Sequence, residues 1–177
     1  MILPTAVKIR LVRPDDAVRF AAAAERLFRQ TYGHDAAHAA VMDAHCAVTY
    51  APERIAEQLA APGTTAQVAV SGAKIVGLAQ LHAVGNRGEV QRFYLDRNWH
   101  GQGLAQALMQ ALVAAAKTLG LTTLRLGVWD QNDRAVAFYR RQGFVACGTV
   151  EFLLNGVPQS DLMMQRDLVS CLPVAEL

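Results

Sequence analysis

Two glycines stand between an apolar, β-rich stretch and an alanine- and leucine-rich stretch of this 177-residue chain. The segment reads Trp99-His100-Gly101-Gln102-Gly103-Leu104-Ala105. Gly101 and Gly103 let the backbone approach a ligand without a clash at Cβ. The helix predicted after them offers unpaired N–H groups and the positive end of its dipole. This layout predicts a cradle for an anion, in particular a phosphate group.

Two common phosphate-binding motifs do not fit this glycine turn. The P-loop needs Gly-Lys-Ser/Thr, which the sequence lacks. A Rossmann fingerprint needs a third glycine where Gln106 stands, and an acidic residue about 20 residues further on. No Asp or Glu occurs between Asp96 and Asp130. A nicotinamide cofactor is therefore disfavoured, while a turn that merely joins a strand to a helix stays an alternative.

The elements that must position this turn follow from the periodicity of apolar residues and from turn signals. The predicted strands are 7–12, 67–70, 74–83, 89–95, 123–128, 144–154 and 158–167. The predicted helices are 17–31, two short segments between 34 and 59, 104–119 and 132–142. Asn155-Gly156 is a hairpin signal. The mixture of meandering and crossover strands predicts a single three-layer α/β or α+β domain over 7–168, with a tail over 169–177.

Composition excludes several classes of protein. The net charge of +2 arises from 17 basic and 15 acidic residues without a basic stripe, so neither nucleic acid nor a membrane is an expected partner. The N-terminus lacks a signal-peptide pattern and no run is apolar enough to span a bilayer, so we expect a cytoplasmic protein. The apolar tail or an exposed strand edge would allow a homodimer.

No metal site is expected. Cys46, Cys147 and Cys171 are an odd, widely spaced set without a CxxC pair, which favours neither a disulfide framework nor zinc. His34, His38 and His45 have helical spacing but no partner pattern such as HExxH, so an exposed helix face is expected instead. The apolar neighbours of Cys147 predict a buried strand cysteine rather than a nucleophile.

A second segment gives the glycine turn its context. Residues 126–144 read LGVWDQNDRAVAFYRRQGF, a strand, a capped helix and a glycine stop. The two segments together resemble the GNAT superfamily of acyl-CoA-dependent N-acetyltransferases, whose motifs are Q/RxxGxG/A and NxxAxxFYxxxGF. His100 departs from the first position of the turn motif. Residues 89–95, 126–129 and 159–164 are also similar to spermidine/spermine N-acetyltransferases of the PaiA type.

This resemblance implies a GNAT fold, a mixed and mostly antiparallel sheet flanked by helices, with acetyl-CoA as cosubstrate and no metal. It implies that the backbone of His100, Gly101, Gln102, Gly103, Leu104 and Ala105 holds the CoA pyrophosphate. It also implies that the backbone of Phe93, Tyr94 and Leu95 binds the pantetheine arm and polarises the thioester carbonyl. Asn132 matches a cofactor contact, although it also fits an N-cap.

Two side chains are the candidates for proton transfer. The resemblance implies that Tyr139 protonates the leaving thiolate, with Phe138 facing the core and Tyr139 the cofactor. Glu89, at the entry to the strand before the turn, is the candidate base, and a solvated strand-end glutamate is the equal alternative. Arg92 and Tyr94 share strand parity and are expected on the substrate side, unless a bulge changes which residues face inward.

The acceptor is then a small primary amine, for which a polyamine is one candidate. A protein N-terminus, a lysine, an amino acid or an antibiotic is the alternative acceptor. A regulatory protein that binds acyl-CoA without turnover is the alternative from another class, and retention of both Tyr139 and Glu89 favours an enzyme over it. Residues 1–60 carry seven basic and seven acidic side chains, so sequence charge does not select the acceptor.

Overall fold

The computed structural model describes residues 7–32, 39–154 and 157–169, without the side chains of 152–159. The chain divides into two compact units. The first unit comprises Met1–His82 and Gln91–Leu112, and the second comprises Ala83–Val90 and Val113–Leu177. No helix in these described ranges has both the length and the apolar character needed to cross a membrane.

Helices and strands follow the order that the sequence predicts. The helices are α1 Ala17–Tyr32, α2 Ala39–Thr49, α3 Pro52–Ala60, α4 Leu104–Thr118 and α5 Asp133–Arg141. The strands are β1 Val7–Leu11, β2 Thr64–Ser71, β3 Lys74–Val84, β4 Arg87–Leu95, β5 Thr123–Trp129, β6 Val145–Leu154 and β7 Val157–Asp167. The predicted boundaries hold within a few residues.

The strands form one mixed sheet of order β1-β2-β3-β4-β5-β7-β6. The pairs β1–β2, β2–β3, β5–β7 and β6–β7 are antiparallel, whereas β4 and β5 are parallel. The parallel pair requires a crossover, which α4 supplies. The predicted mixed, mostly antiparallel sheet is therefore confirmed, and the Asn155-Gly156 turn itself lies outside the described residues.

In the first unit, helices cover both faces of the sheet. Neighbouring residues of β2 point to opposite faces, so their contacts show which helices cover each face. Val68 packs with Phe20 and Leu27 of α1 and Ile55 of α3. Ala69, the next residue, packs with Leu104 at the start of α4. The predicted three layers are thus found in this unit.

In the second unit, β5 buries alternate residues, namely Leu124, Leu126 and Val128. Its register with β7 pairs Leu126 with the fully buried Met164. A shift in the β6–β7 register falls between Ala146 and Gly148. This bulge leaves Cys147 exposed, with Sγ 3.5 Å from the Met163 carbonyl oxygen, so the expectation of a buried Cys147 is wrong.

Candidate active site

The glycine turn has the backbone conformation that only glycine adopts readily. Gly101 and Gly103 have φ of 77° and 79°, in the left-handed region. A Cβ built on Gly101 would meet no heavy atom within 4 Å, so the space in front of the turn is open. The first intrahelical bond of α4 runs from Ala107 N–H to the Gly103 carbonyl at 3.0 Å. The preceding amides therefore have no acceptor within the helix and fit an anionic ligand.

Asp96 fixes the chain just before this turn. Its carboxylate is 1% exposed and accepts hydrogen bonds from Arg26 at 2.9 Å, Lys74 at 3.0 Å and the Asn98 N–H at 3.2 Å. Burial raises the pKa of Asp96, but the bonds from Lys74, Asn98 and Arg26 outweigh burial and hold that pKa below its ordinary value. Asp96 therefore anchors the turn to α1 and β3 as a carboxylate.

The polar side chains of the turn fold back onto the protein. His100 donates from Nε2 to the Leu95 carbonyl oxygen at 3.3 Å. Gln102 donates from Nε2 to the Asn98 carbonyl at 2.7 Å. These contacts brace the turn and leave its backbone amides as the groups that suit an anion.

The end of β4 enters a cluster of aromatic and polar side chains in the first unit, which we call the Tyr94 cluster: Phe28, His45, Tyr50, Arg92 and Tyr94. The hydroxyl oxygens of Tyr50 and Tyr94 are 3.2 Å apart. The Arg92 guanidinium carbon lies 5.6 Å from the centroid of the Tyr50 ring. Arg92 and Tyr94 thus both contact Tyr50, in agreement with their predicted common side.

The second unit holds the capped helix α5. Asn132 Oδ1 accepts a hydrogen bond from the Ala135 N–H at 3.1 Å, which confirms the N-cap. Tyr139 is 8% exposed, and its ring centroid lies 5.4 Å from that of Phe138 and 5.7 Å from that of Phe144. Phe138 is only half-buried. The expectation that Phe138 faces the core is wrong, because Val136 and Tyr139 form the buried stripe of α5. That Tyr139 faces the cofactor stays a prediction.

Residues 22–144 match the Acetyltransferase (GNAT) family. The chain belongs to the GNAT family. Its fold and its acetyltransferase activity of the GNAT type agree with the two motifs read from the sequence. The match covers the glycine turn and α5, and it ends at the phenylalanine after the glycine stop.

Similar proteins support this GNAT assignment. An uncharacterized N-acetyltransferase of Mycobacterium tuberculosis H37Rv is 38% identical over 117 residues, which cover 66% of this chain and 75% of that protein. The crystal structure of the PaiA N-acetyltransferase of Thermoplasma acidophilum in complex with coenzyme A has a TM-score of 0.76 and 19% identity, over 92% of this chain and 99% of that one. The ribosomal-protein-S18-alanine N-acetyltransferase of Escherichia coli has a TM-score of 0.72 and 15% identity, over 97% and 99%.

These structural likenesses show the GNAT fold and leave the acceptor open. The two solved structures have similar TM-scores although their names indicate different enzymes. The acceptor of this GNAT protein must therefore be inferred from its own side chains.

Two carboxylates in the second unit are candidates for the base of a GNAT reaction. Glu89 is 30% exposed at its side chain and accepts a hydrogen bond from Arg87 Nε at 2.6 Å. Asp161 of β7 approaches β5, where a Cβ on Gly127 would lie 3.1 Å from its Oδ2. Burial, and then the charge of Asp130, raises the pKa of Asp161. Sequence reasoning missed Asp161 because only the β5–β7 pairing brings it beside Gly127.

The structure tests the metal-ligand candidates only where it describes them. Within residues 7–32, 39–154 and 157–169, no three potential ligands form a group able to hold a metal ion. His34 and His38 lie outside these ranges. His45 is half-buried and stacks on Phe28 with ring centroids 5.2 Å apart, and burial lowers its pKa. The expectation of an exposed helix face is therefore wrong for His45.

Proposed function

We propose that the protein transfers an acetyl group from acetyl-CoA to a small primary amine, by direct attack while both substrates are bound. The observation that carries the proposal is the glycine turn, in which Gly101 and Gly103 are both left-handed and the space in front of Gly101 is open. The catalytic domain is residues 7–168. The proposal includes a homodimer, which a measurement of the mass in solution would test.

Backbone groups make most of the proposed contacts with the cofactor. The amides of residues 100–105 hold the CoA pyrophosphate, since they precede and begin α4. The backbone of Phe93, Tyr94 and Leu95 pairs with the pantetheine arm, and one of its N–H groups polarises the thioester carbonyl. Asn132 is a further cofactor contact, in addition to its role as N-cap.

The chemistry requires proton transfers at the amine nitrogen and at the leaving sulfur. An alkylammonium has an ordinary pKa near 10.4, so the amine must lose a proton before its nitrogen attacks the carbonyl carbon. Glu89 takes that proton, directly or through water. The C–S bond then breaks, and Tyr139 donates its hydroxyl proton to the departing sulfur. The nitrogen loses its second proton as the amide forms, and that proton restores the Tyr139 hydroxyl. Packing against Phe144 supports this role, because it restrains the Tyr139 ring and a general acid must be held in one orientation.

Polyamines are the acceptor class that the sequence resemblance indicates. The alternatives are a protein N-terminus, a lysine, an amino acid or an antibiotic. A regulator that binds acyl-CoA without turnover would need the backbone cradle but neither carboxylate nor phenol, so Glu89 and Tyr139 favour the enzyme.

Release of the CoA thiol from acetyl-CoA tests the proposal, with polyamines, amino acids and peptides as acceptors. We expect amine-dependent release. If no acceptor causes release of CoA thiol while the protein still binds CoA, the enzyme hypothesis is refuted and the regulator hypothesis is supported.

The base is tested by Glu89→Gln, which keeps the shape of the side chain and removes its basicity. We expect turnover to fall by about 100-fold. Arg87→Met is the matched control, because it removes the ion pair but leaves the Glu89 carboxylate in place. If Glu89→Gln retains the rate while Asp161→Asn loses it, Asp161 is the base instead.

A further inference from the structure

Arg92 is a buried cation whose hydrogen-bond partners among the described residues, Gln80 and Tyr50, are both neutral. Arg92 is 7% exposed, and Nη1 donates to Gln80 Oε1 at 2.7 Å. Gln80 is fully buried and donates in turn to Gln91 at 2.9 Å. Among the residues that the structure describes, no Asp or Glu forms an ion pair with Arg92, whereas Arg26 and Arg87 each have one.

A buried guanidinium without a counter-charge is costly, so this arrangement calls for an anion. The guanidinium has five N–H donors, and the bonds to Gln80 and Tyr50 leave a surplus of donors. The charge of Arg54, which also acts on Arg92, is positive as well. The electrostatics therefore oppose a polycation at this position.

The two tyrosines add hydrogen-bond donors to the same cluster. Burial raises the pKa of Tyr50 and of Tyr94, so both hydroxyls keep their protons at neutral pH. Their mutual 3.2 Å bond uses one of the two hydroxyl hydrogens. The second hydrogen can be donated to a ligand. One positive charge with surplus donors matches a carboxylate, which only accepts hydrogen bonds.

We propose that Arg92, together with the hydroxyls of Tyr50 and Tyr94, binds a carboxylate of the acceptor. The acceptor is then an amine that also carries a carboxylate, such as an amino acid, rather than a polyamine. This inference rests on the proposed function. It draws further support from the position of Arg92, which directly precedes the backbone segment Phe93–Leu95 that we propose for the pantetheine arm.

Matched acceptors test the inference. Each amino acid of a set is compared with its own carboxamide and with the corresponding decarboxylated amine, and spermidine is included. Rates are expressed per deprotonated amine, so that differences in amine pKa do not enter. We expect kcat/KM to favour the carboxylate member by at least about 30-fold, the effect of truncating one partner of a buried charged pair.

Variants separate binding of the carboxylate from a structural role. Arg92→Met should abolish the preference for carboxylates while KM for acetyl-CoA stays within about twofold, and Arg92→Lys should retain part of the preference because it keeps the charge. Arg54→Met is the control for long-range charge, and it should weaken the preference by no more than about twofold because solvent screens the exposed Arg54. Equal loss with all acceptors in Arg92→Met would show a structural role and overturn the inference.

Two further outcomes are decisive. Equal rates for amino acids and their amides, or a preference for spermidine, would overturn the inference while leaving the acetyltransferase proposal intact. If no acceptor releases CoA, calorimetric titration of amino acids and amides into the CoA-loaded protein decides the question. Binding selective for carboxylates that Arg92→Met removes would uphold the anion site although the proposed turnover fails, and the absence of such binding would refute both.

Discussion

Gly101→Ala tests the role of the glycine turn without removing any side-chain contact of the protein. Gly101 has φ of +77°, where an alanine is strained, although a Cβ there meets no heavy atom of the protein within 4 Å. The strain of a left-handed alanine costs roughly 1–2 kcal/mol. For a domain of this size, each kcal/mol lowers Tm by roughly 2–4 °C.

The effect on CoA should be larger than the effect on stability. The added methyl group projects into the open space before the turn, and relief of its strain moves the amides that we propose as pyrophosphate contacts. Loss of one charge-assisted hydrogen bond corresponds to about 1.5–3 kcal/mol. This range predicts CoA affinity lower by roughly 10- to 150-fold.

Gly72→Ala is the matched control. Gly72 has φ of +56° in the β2–β3 turn, and a Cβ there also meets nothing within 4 Å. Both variants should lose a similar amount of stability, measured by thermal unfolding. Only Gly101→Ala should lower the affinity for CoA, measured by calorimetric titration. Equal CoA affinity in the two variants would refute the assignment of the cradle to this turn.

Three other predictions follow from single side chains. Tyr139→Phe should lower kcat by about 100-fold with little change in KM for acetyl-CoA, and an unchanged rate in steady-state assays would remove Tyr139 from the chemistry. Asp96→Asn should lower the free energy of unfolding by about 2 kcal/mol, measured by urea titration. Breaking a fully buried ion pair costs roughly 3–5 kcal/mol, and the loss here is smaller because the cationic partners of Asp96 reach solvent. The hydrogen bond from Arg10 lowers the pKa of Asp16 from 3.8 to about 2. The stability that the ionised Asp16 contributes to the fold is therefore present above pH 3.8 and is lost as the pH falls toward 2. Wild-type stability should therefore fall over that window, whereas Asp16→Asn, less stable at neutral pH, should show a flatter profile.

Local sequence signals were sufficient for the elements and for the glycine turn. Apolar periodicity and turn residues fix α4, α5 and the β5 strand because each pattern repeats over several residues. The glycine turn is predictable because glycines followed by a helix start are a local feature. The N-cap at Asn132 is local in the same way.

Contacts distant in sequence explain what the patterns missed. Asp96 binds side chains 70 and 22 residues away, and no local pattern joins those positions. The Tyr50–Tyr94 contact spans 44 residues. Cys147 was predicted to be buried because its neighbours are apolar, but the register shift at the bulge decides its exposure. The burial of Tyr139 rather than Phe138 likewise depends on tertiary packing, here against Phe144.

Transfer of a labelled acetyl group tests the central claim most directly. The wild-type protein is mixed with acetyl-labelled acetyl-CoA, with and without a primary amine, and the label is followed by mass spectrometry. We predict label on the amine nitrogen, stoichiometric release of CoA thiol, and no label on the protein when the amine is omitted. Bound CoA with no labelled amine from any acceptor, or an acetylated protein as the obligatory intermediate, would contradict direct transfer.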